Sequence, residues 1–438
     1  MSSKVRILIL TALLLCFLSI SFAQAPKLKN VIFFIGDGMG LESVDLSRII
    51  IVGKDEYFTF ETAPYIGIAK TFSANSLVTD SAAAGTALAT GFKTNNSWLG
   101  TAPDEKKIKT LLEAAKEVGK STGLITTVTI THATPAAFAA HTTSRDEIPV
   151  ADQYAEYKTA DIYMGGGLAY FLPKSDPQSK REDNRNLIEE FKKAGYEFIS
   201  TPEELDKAKA PNGKLLGLFA VEHLPYYMDR EFLKVNVPDL AEMTEKALDI
   251  LSKNPKGFFL MVEGGKIDWA NHVHDAATAA WEVYEFNEAI RVALDFINEN
   301  PDTLIVITAD HETGGIGLST GKYEINPEVL INQKLSCEAL ATLVKGKKDD
   351  EIKQIFEEYV EITDLKPEEL QKIKKATAID IADVISARAQ VGWTTTSHSG
   401  VSVPVYAFGE SAELFAGVYD NTDIAKKIAE LAGYTLSE

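Results

Sequence analysis

"TLIVITADH", Thr303 to His311, is a run of apolar and β-branched residues that stops on an acid and an imidazole. It does not alternate polar with apolar, so it reads as a strand covered on both faces. Outward from it, "VIFFI" (Val31–Ile35), "GLITTVTI" (Gly123–Ile130), "GFFLMV" (Gly257–Val262) and "VPVYAF" (Val403–Phe408) repeat the pattern. Helical stretches separate these runs. "IKTLLEAAKEVGK" ends at a Gly119 cap, and "TPEELDKAKA" has Thr201 as cap, Pro202 at the first helical position and Glu204 three after the cap. "AATAAWEVYEFNEAIRVALDFINEN" is long and amphipathic before Pro301. Strands alternating with helices predict an α/β sandwich: a central, mostly parallel sheet with helices on both faces.

The residues at the end of each strand predict where the chemistry lies. "VIFFIG" runs into Asp37, "GLITTVTIT" into His132 and Thr134, "GFFLMV" into Glu263, and "TLIVITA" into Asp310 and His311. In open α/β sheets ligands bind beyond the carboxyl ends of the strands. One such acid alone reads as a turn or cap residue, but four strands delivering oxygen or imidazole groups to one edge read as a site. After Glu263, "GGKIDWANH" sets Asp268 and His272 four apart, on one helical face, a pairing suited to zinc. His398 stands among small polar residues in "TTTSHSG", where by itself it is an ordinary histidine. His141, His223 and His274 are assigned to structure or to support around the site.

"VTDSAAAGTA" (Val78–Ala87) puts Asp80 and Ser81 directly ahead of the smallest residues available. Taken alone it reads as a capped helix with an Ala-rich packed face. It also reads as a helix start whose unpaired N–H groups and dipole hold an anion, or a hydroxyl becoming one.

Composition limits the partners. Of 438 residues, 45% are hydrophobic and 24% charged, ordinary for a globular protein, with a formal charge of −19. Lys4 and Arg6 precede "ILILTALLLCFLSI" and "SFAQA", the pattern of a secretory signal cleaved after Ala23. The chain is therefore expected to be exported, to the periplasm or beyond, with no membrane anchor after cleavage. Loss of those two basic residues takes the charge to −21. So acidic a surface argues against nucleic acid as a partner, and any phosphate site must carry its own positive charge. Cys337 is the one cysteine left, so no internal disulfide forms. The expected organisation is a signal over 1–23 and one domain over 24–438. From about 323 to 390 the chain turns charged and helical, including "KGKKDDEIKQIFEEYVEITDLKPEELQKIKK", read as an insertion on the sheet's edge.

With these residues in hand, the chain resembles the alkaline phosphatases. "VTDSAAAGTA" is similar to that family's active-site signature. "FIGDGMG", "HATPAAFAAHTTSR", "VEGGKIDWANH", "TADHETGG" and "TTTSHSG" resemble its other blocks, in the family's order, from Asn30 to about Gly409. "DIYMGGG" (Asp161–Gly167) is also familial and carries no evident chemistry. The resemblance implies the family's three-layer sandwich and hydrolysis of a broad range of small phosphate monoesters through a phosphoserine at Ser81. It implies one zinc on Asp268, His272 and His398, and a second on Asp37, Asp310 and His311 with Ser81 as exchangeable ligand. A third metal, magnesium, would take Asp37, Thr134 and Glu263. Arg145 would clamp phosphate, and the protein would be a homodimer. A well-known bacterial member has Asp and Lys where this chain has His132 and Trp269, both beside the phosphate and third metal; a nitrogen donor there favours ions other than magnesium.

Two other functions compete. A phosphodiesterase of the same superfamily typically lacks the Asp37, Thr134 and Glu263 trio. A non-catalytic exported metal- or phosphate-binding protein would be expected to have lost Ser81 or Arg145.

Overall fold

The computed structural model describes residues 28–321 and 323–437. The proposed signal over residues 1–23 lies outside them. The main sheet is built from β1 (Asn30–Gly36), β2 (Tyr65–Lys70), β3 (Ser121–Thr129), β4 (Ile162–Gly166), β5 (Glu197–Ile199), β6 (Leu215–Leu218), β7 (Phe258–Gly264), β8 (Thr303–Ala309), β9 (Val403–Gly409) and β10 (Gly417–Asp420). Their order is β10-β2-β9-β8-β1-β7-β3-β4-β6-β5. All run parallel except β9, which pairs antiparallel with both β8 and β2.

The three central strands are buried at every residue, as their unbroken apolar runs require. Successive side chains of β1 point to opposite faces. Phe34 meets Phe286 of the helix Ala276–Glu299 edge to face, while Phe33 meets Phe138 of the helix Ala133–Ala139. Those two contacts define the helical layers, and trimming either ring to alanine costs on the order of 3–5 kcal/mol.

Register brings the strand ends level. Ile35 lies opposite both Glu263 of β7 and Thr308 of β8, and Gly36 opposite Gly264 and Ala309. Asp37, Glu263 and Asp310 therefore leave the sheet within one or two residues of a common line.

The capping signals act as read. The Thr201 hydroxyl accepts from Glu204 N at 3.2 Å, ahead of Pro202 at the helix start. The helix Leu111–Glu117 ends just before Gly119, which turns the chain at φ +81°.

One expectation needs correction. The helices between Glu328 and Ala389 do not lie on an edge of the sheet. They bury their own core, Leu340, Ile352, Phe356, Ile381 and Ile385 among it, against Leu46, Ile50, Ala276, Ala277 and Ala280 of two main-body helices. A strand edge offers mainly backbone, whereas amphipathic helices need apolar area, and the helical layer supplies it. A short ribbon, Ile316–Leu318 with Val391–Trp393, ties the segment to the body.

Candidate active site and metal centre

Ser81 is the first residue of the helix Ser81–Thr90, and every residue of that helix is buried. One Asp80 oxygen accepts from Ala83 N at 3.0 Å. The other accepts from Ser97 N at 2.9 Å and from Arg145 Nη1 at 3.3 Å. The capping and functional readings of this stretch are thus one arrangement, since the cap also holds the guanidinium. The small residues have a matching reason. A Cβ on Gly85 would stand 3.1 Å from Ala137 Cβ, so this helix lies close against Ala133–Ala139, the helix carrying Thr134.

Three histidines face the same space, each anchored at Nδ1. His272 Nδ1–H donates to Thr396 O at 2.7 Å and His398 Nδ1–H to Thr79 O at 2.9 Å. His311 Nδ1–H donates to Thr313 Oγ1 at 3.2 Å, and Thr313 in turn donates to Asp268 Oδ1 at 2.5 Å. In each neutral ring the lone pair is left on Nε2, the arrangement that fixes metal-binding imidazoles. His272 Nε2 lies 3.2 Å from Asp268 Oδ2, and His398 Nε2 3.7 Å from Asp268 Oδ1. His311 Nε2 lies 3.1 Å from Asp310 Oδ2, 3.5 Å from Asp37 Oδ1 and 3.2 Å from Ser81 Oγ.

Donor atoms gather in three overlapping groups, each within 4.8 Å: Asp37 with Asp310 and His311; Asp268 with His311 and His398; and Asp37 with Glu263 and His132. Four carboxylates, Asp37, Glu263, Asp268 and Asp310, are thus buried together. Both oxygens of Asp37, Asp310 Oδ2, Glu263 Oε1, Thr134 Oγ1 and His132 Nδ1 have no hydrogen-bond partner among the described residues. Asp310 Oδ1, by contrast, accepts from Gly38 N and His311 N. Burying unpaired anions costs several kcal/mol each, so a site that orphans them is fitted to cations. Titration reflects the same crowding. Burial, with Asp310, Asp268 and Glu263 nearby, holds the Asp37 carboxyl well above its usual range. Glu263 is pushed up to about 8 by burial, against a hydrogen bond from Thr126. Hard oxygen and imidazole nitrogen donors without thiolate suit zinc and magnesium.

The sequence-derived residues converge on a cavity of about 440 Å³, whose walls include Ser81, Arg145, His132, Trp269 and His272. Asp268 and His398 line it too, while Asp37, Thr134, Glu263, Asp310 and His311 lie beneath. His132 Nε2 is 3.4 Å from Arg145 Nη2, and burial and that guanidinium lower its pKa to about 3, leaving a neutral ring. His141 and His274 are structural, bonded to Glu113 and Asp383 respectively. His223 accepts from Thr129 N and packs its ring 4.2 Å from that of Trp269, in the wall behind His132.

Three contributors went unread in the sequence. Thr313 relays between His311 and Asp268, Thr126 donates to Glu263, and Glu338 reaches the cavity from the helical insertion. Thr313 lies only two residues beyond His311, a signal that was there; Glu338 has none, because nothing local marks which face of a charged helix meets the site.

The chain as a whole is similar to known proteins. The alkaline phosphatase family model matches residues 28–434. Alkaline phosphatase 4 of Bacillus subtilis (strain 168) is 38% identical over 426 residues, covering 92% of this chain and 89% of its own. The crystal structure of a cold-active alkaline phosphatase from the psychrophile Shewanella sp. superposes with a TM-score of 0.82 at 35% identity, covering 92% of this chain and 99% of that one. An alkaline phosphatase from the Antarctic bacterium TAB5 has a TM-score of 0.70 at 28% identity, over 93% and 99% of the two chains. Mutants of it with one histidine replaced by glutamate or aspartate hold Mg in the M3 site.

Proposed function

The chain belongs to the alkaline phosphatase family and hydrolyses phosphate monoesters, and from that premise we propose that Ser81 is its nucleophile, working over two zinc ions and one magnesium ion. The observation that carries the reading is the set of buried, unpartnered donor atoms gathered beneath Ser81 Oγ. One zinc is assigned to Asp268, His272 and His398, the other to Asp37, Asp310 and His311, and magnesium to Asp37, Thr134 and Glu263. When bound, paired ions stabilise the attacking and leaving oxygens of an in-line displacement and activate water.

The chain's own groups do the rest. Ser81 Oγ stands at the helix N-terminus, where backbone N–H groups and the dipole favour an incoming phosphate. Its oxygen attacks phosphorus, the alcohol leaves, and water then releases phosphate from the phosphoserine. Arg145 clamps two phosphate oxygens with a planar fork, aimed by its bond to Asp80. The test is hydrolysis of 4-nitrophenyl phosphate beside bis(4-nitrophenyl) phosphate by the metal-loaded protein at alkaline pH. Monoester preference, lost on chelation and restored by zinc plus magnesium, is expected; diester preference overturns the monoesterase reading.

The third site yields a prediction. His132 offers a ring nitrogen to the group with Asp37 and Glu263, and a nitrogen donor favours ions later in the transition series over magnesium. The TAB5 mutants with magnesium in the M3 site support this. His132→Asp is expected to lower the magnesium concentration for half-maximal activation by roughly tenfold. Titration of activity against Mg2+ in zinc-loaded protein checks it, and an unchanged midpoint counts against His132 as a neighbour of that ion.

We further propose export by the segment ending at Ala23 and assembly as a homodimer. Among the described residues no helix is long and apolar enough to cross a membrane. An apolar strip supports the dimer: Ile66 and Ile68 are about half exposed, Val418 pairs in register with Ile68, and exposed Leu77 and Val401 continue it toward the Ser81 loop. Ile68→Glu is expected to convert the dimer to monomer. Sedimentation velocity at micromolar concentration checks this, and a wild-type monomer would rule the dimer out.

A further inference from the structure

Most of the cavity wall over Ser81 is committed. The metal groups, His132 and Arg145 face the phosphate, which leaves Trp269, Val273 and Glu338 for the alcohol of the substrate. Among the described residues, Glu338 is the one charged side chain lining the cavity that belongs neither to a metal group nor to the phosphate clamp. We propose that Glu338 is a specificity determinant, whose carboxylate receives a cationic group on the leaving alcohol. Esters of amino alcohols are then favoured and esters of carboxylated alcohols disfavoured. This rests on the monoesterase reading and narrows its substrate class.

The carboxylate is held in place from below. Glu338 lies in the first turn of the helix Cys337–Val344. Ser336, which caps that helix, donates from N and Oγ to Asp229 at 2.8 and 2.6 Å. Cys337 N donates to Asp275 Oδ2 at 2.6 Å, and Gln333 Nε2 to Asp275 Oδ1 at 2.9 Å. Asp275 also caps the helix Ala276–Glu299, three residues after His272. The insertion and the metal-binding segment thus share one buried mount, and a charge on the first is fixed relative to the second.

Among the described residues no cation lies within ion-pair distance of that charge, although it acts at longer range on buried Lys266. Glu338 accepts from the Tyr226 hydroxyl at 3.4 Å and forms no ion pair among the described residues. Lys266 is buried behind it with its ammonium 3.7 Å from the centre of the Tyr226 ring, and Glu282 outweighs Glu338 among the acids acting on it. Glu338 itself is exposed and lines the cavity that also holds Ser81 and Arg145. A partly screened carboxylate there discriminates through charge rather than shape.

The experiment compares kcat/KM for phosphoethanolamine, ethyl phosphate and phosphoglycolate at about pH 8. These alcohols are similar in size and carry a positive, neutral and negative group. The metal-loaded wild type is expected to prefer them in that order. Glu338→Gln is expected to compress the spread from first to last by roughly three- to tenfold, with the Glu338→Asp variant retaining most of it. Glu338→Lys should reverse the order, and about 0.5 M salt should narrow the wild-type spread. Ratios unchanged in Glu338→Gln, or all three rates scaled equally, overturn the inference while ethyl phosphate hydrolysis leaves the monoesterase standing. Wild-type protein that turns over none of the three overturns both.

Discussion

Ser81→Ala is expected to lower kcat toward phosphate monoesters by at least about a thousandfold while leaving the metal content unchanged. The separation of the two readouts comes from the site's construction. The donor groups are made of Asp37, Asp268, Asp310, Glu263, His132, His311 and His398, and the rings of His272, His311 and His398 are anchored at Nδ1 by groups other than Ser81. Alanine is a good helix former and fits the first turn, where Asp80 still caps through Ala83 N. The change therefore removes one oxygen, 3.2 Å from His311 Nε2, and little else. Steady-state hydrolysis of 4-nitrophenyl phosphate and metal analysis of the same sample check it. A variant retaining a tenth of the activity at full metal load would exclude Ser81 as nucleophile.

Asp37→Asn is expected to act more broadly, because Asp37 belongs to two of the three donor groups. Hydrolysis should again fall by at least about a thousandfold, now together with the metal content. Its effect on stability should have opposite signs in the two states of the protein. In metal-free wild type, burial and three neighbouring carboxylates oppose the Asp37 charge, which is why its pKa is raised. A neutral amide removes that cost, so the metal-free variant should melt at or above the metal-free wild type. Metal reverses the order. Each ion held at a thousand times its Kd adds about 4 kcal/mol, so loading should raise the wild-type melting temperature on the order of 10 °C. The variant should gain much less. Calorimetry with and without saturating zinc and magnesium measures all four values, and an equal metal-induced rise in both proteins would contradict a shared role for Asp37.

Much of the fold was legible because the chain writes its central strands as unbroken apolar runs, and each run stops at the residue where the sheet's edge begins. Thr303–Ala309 ends on Asp310 for the same reason that Val31–Gly36 ends on Asp37. A strand covered on both faces must be apolar until it leaves the cover. The outer strands carry no such signal. Tyr65–Lys70 is exposed at four of its six residues, and Glu197–Ile199 has only three residues, too few for a period to appear. The placement of the helical insertion was misread because a charged amphipathic helix announces that it has an apolar face without announcing what covers it. Within the site, residues at strand ends were readable, whereas His223 and Glu338 arrive from loops and an insertion by tertiary contact. His132 sat on the border, since its position after a strand was visible and its direct approach to the Arg145 guanidinium was not.

The most direct test of the serine mechanism is to quench the metal-loaded protein in acid during turnover of a phosphate monoester and map phosphate by mass spectrometry. The mechanism predicts one phosphate on the peptide carrying Ser81, absent after chelation and absent in Ser81→Ala. Phosphate on another residue, or turnover with Ser81 never modified under any quench, would contradict it.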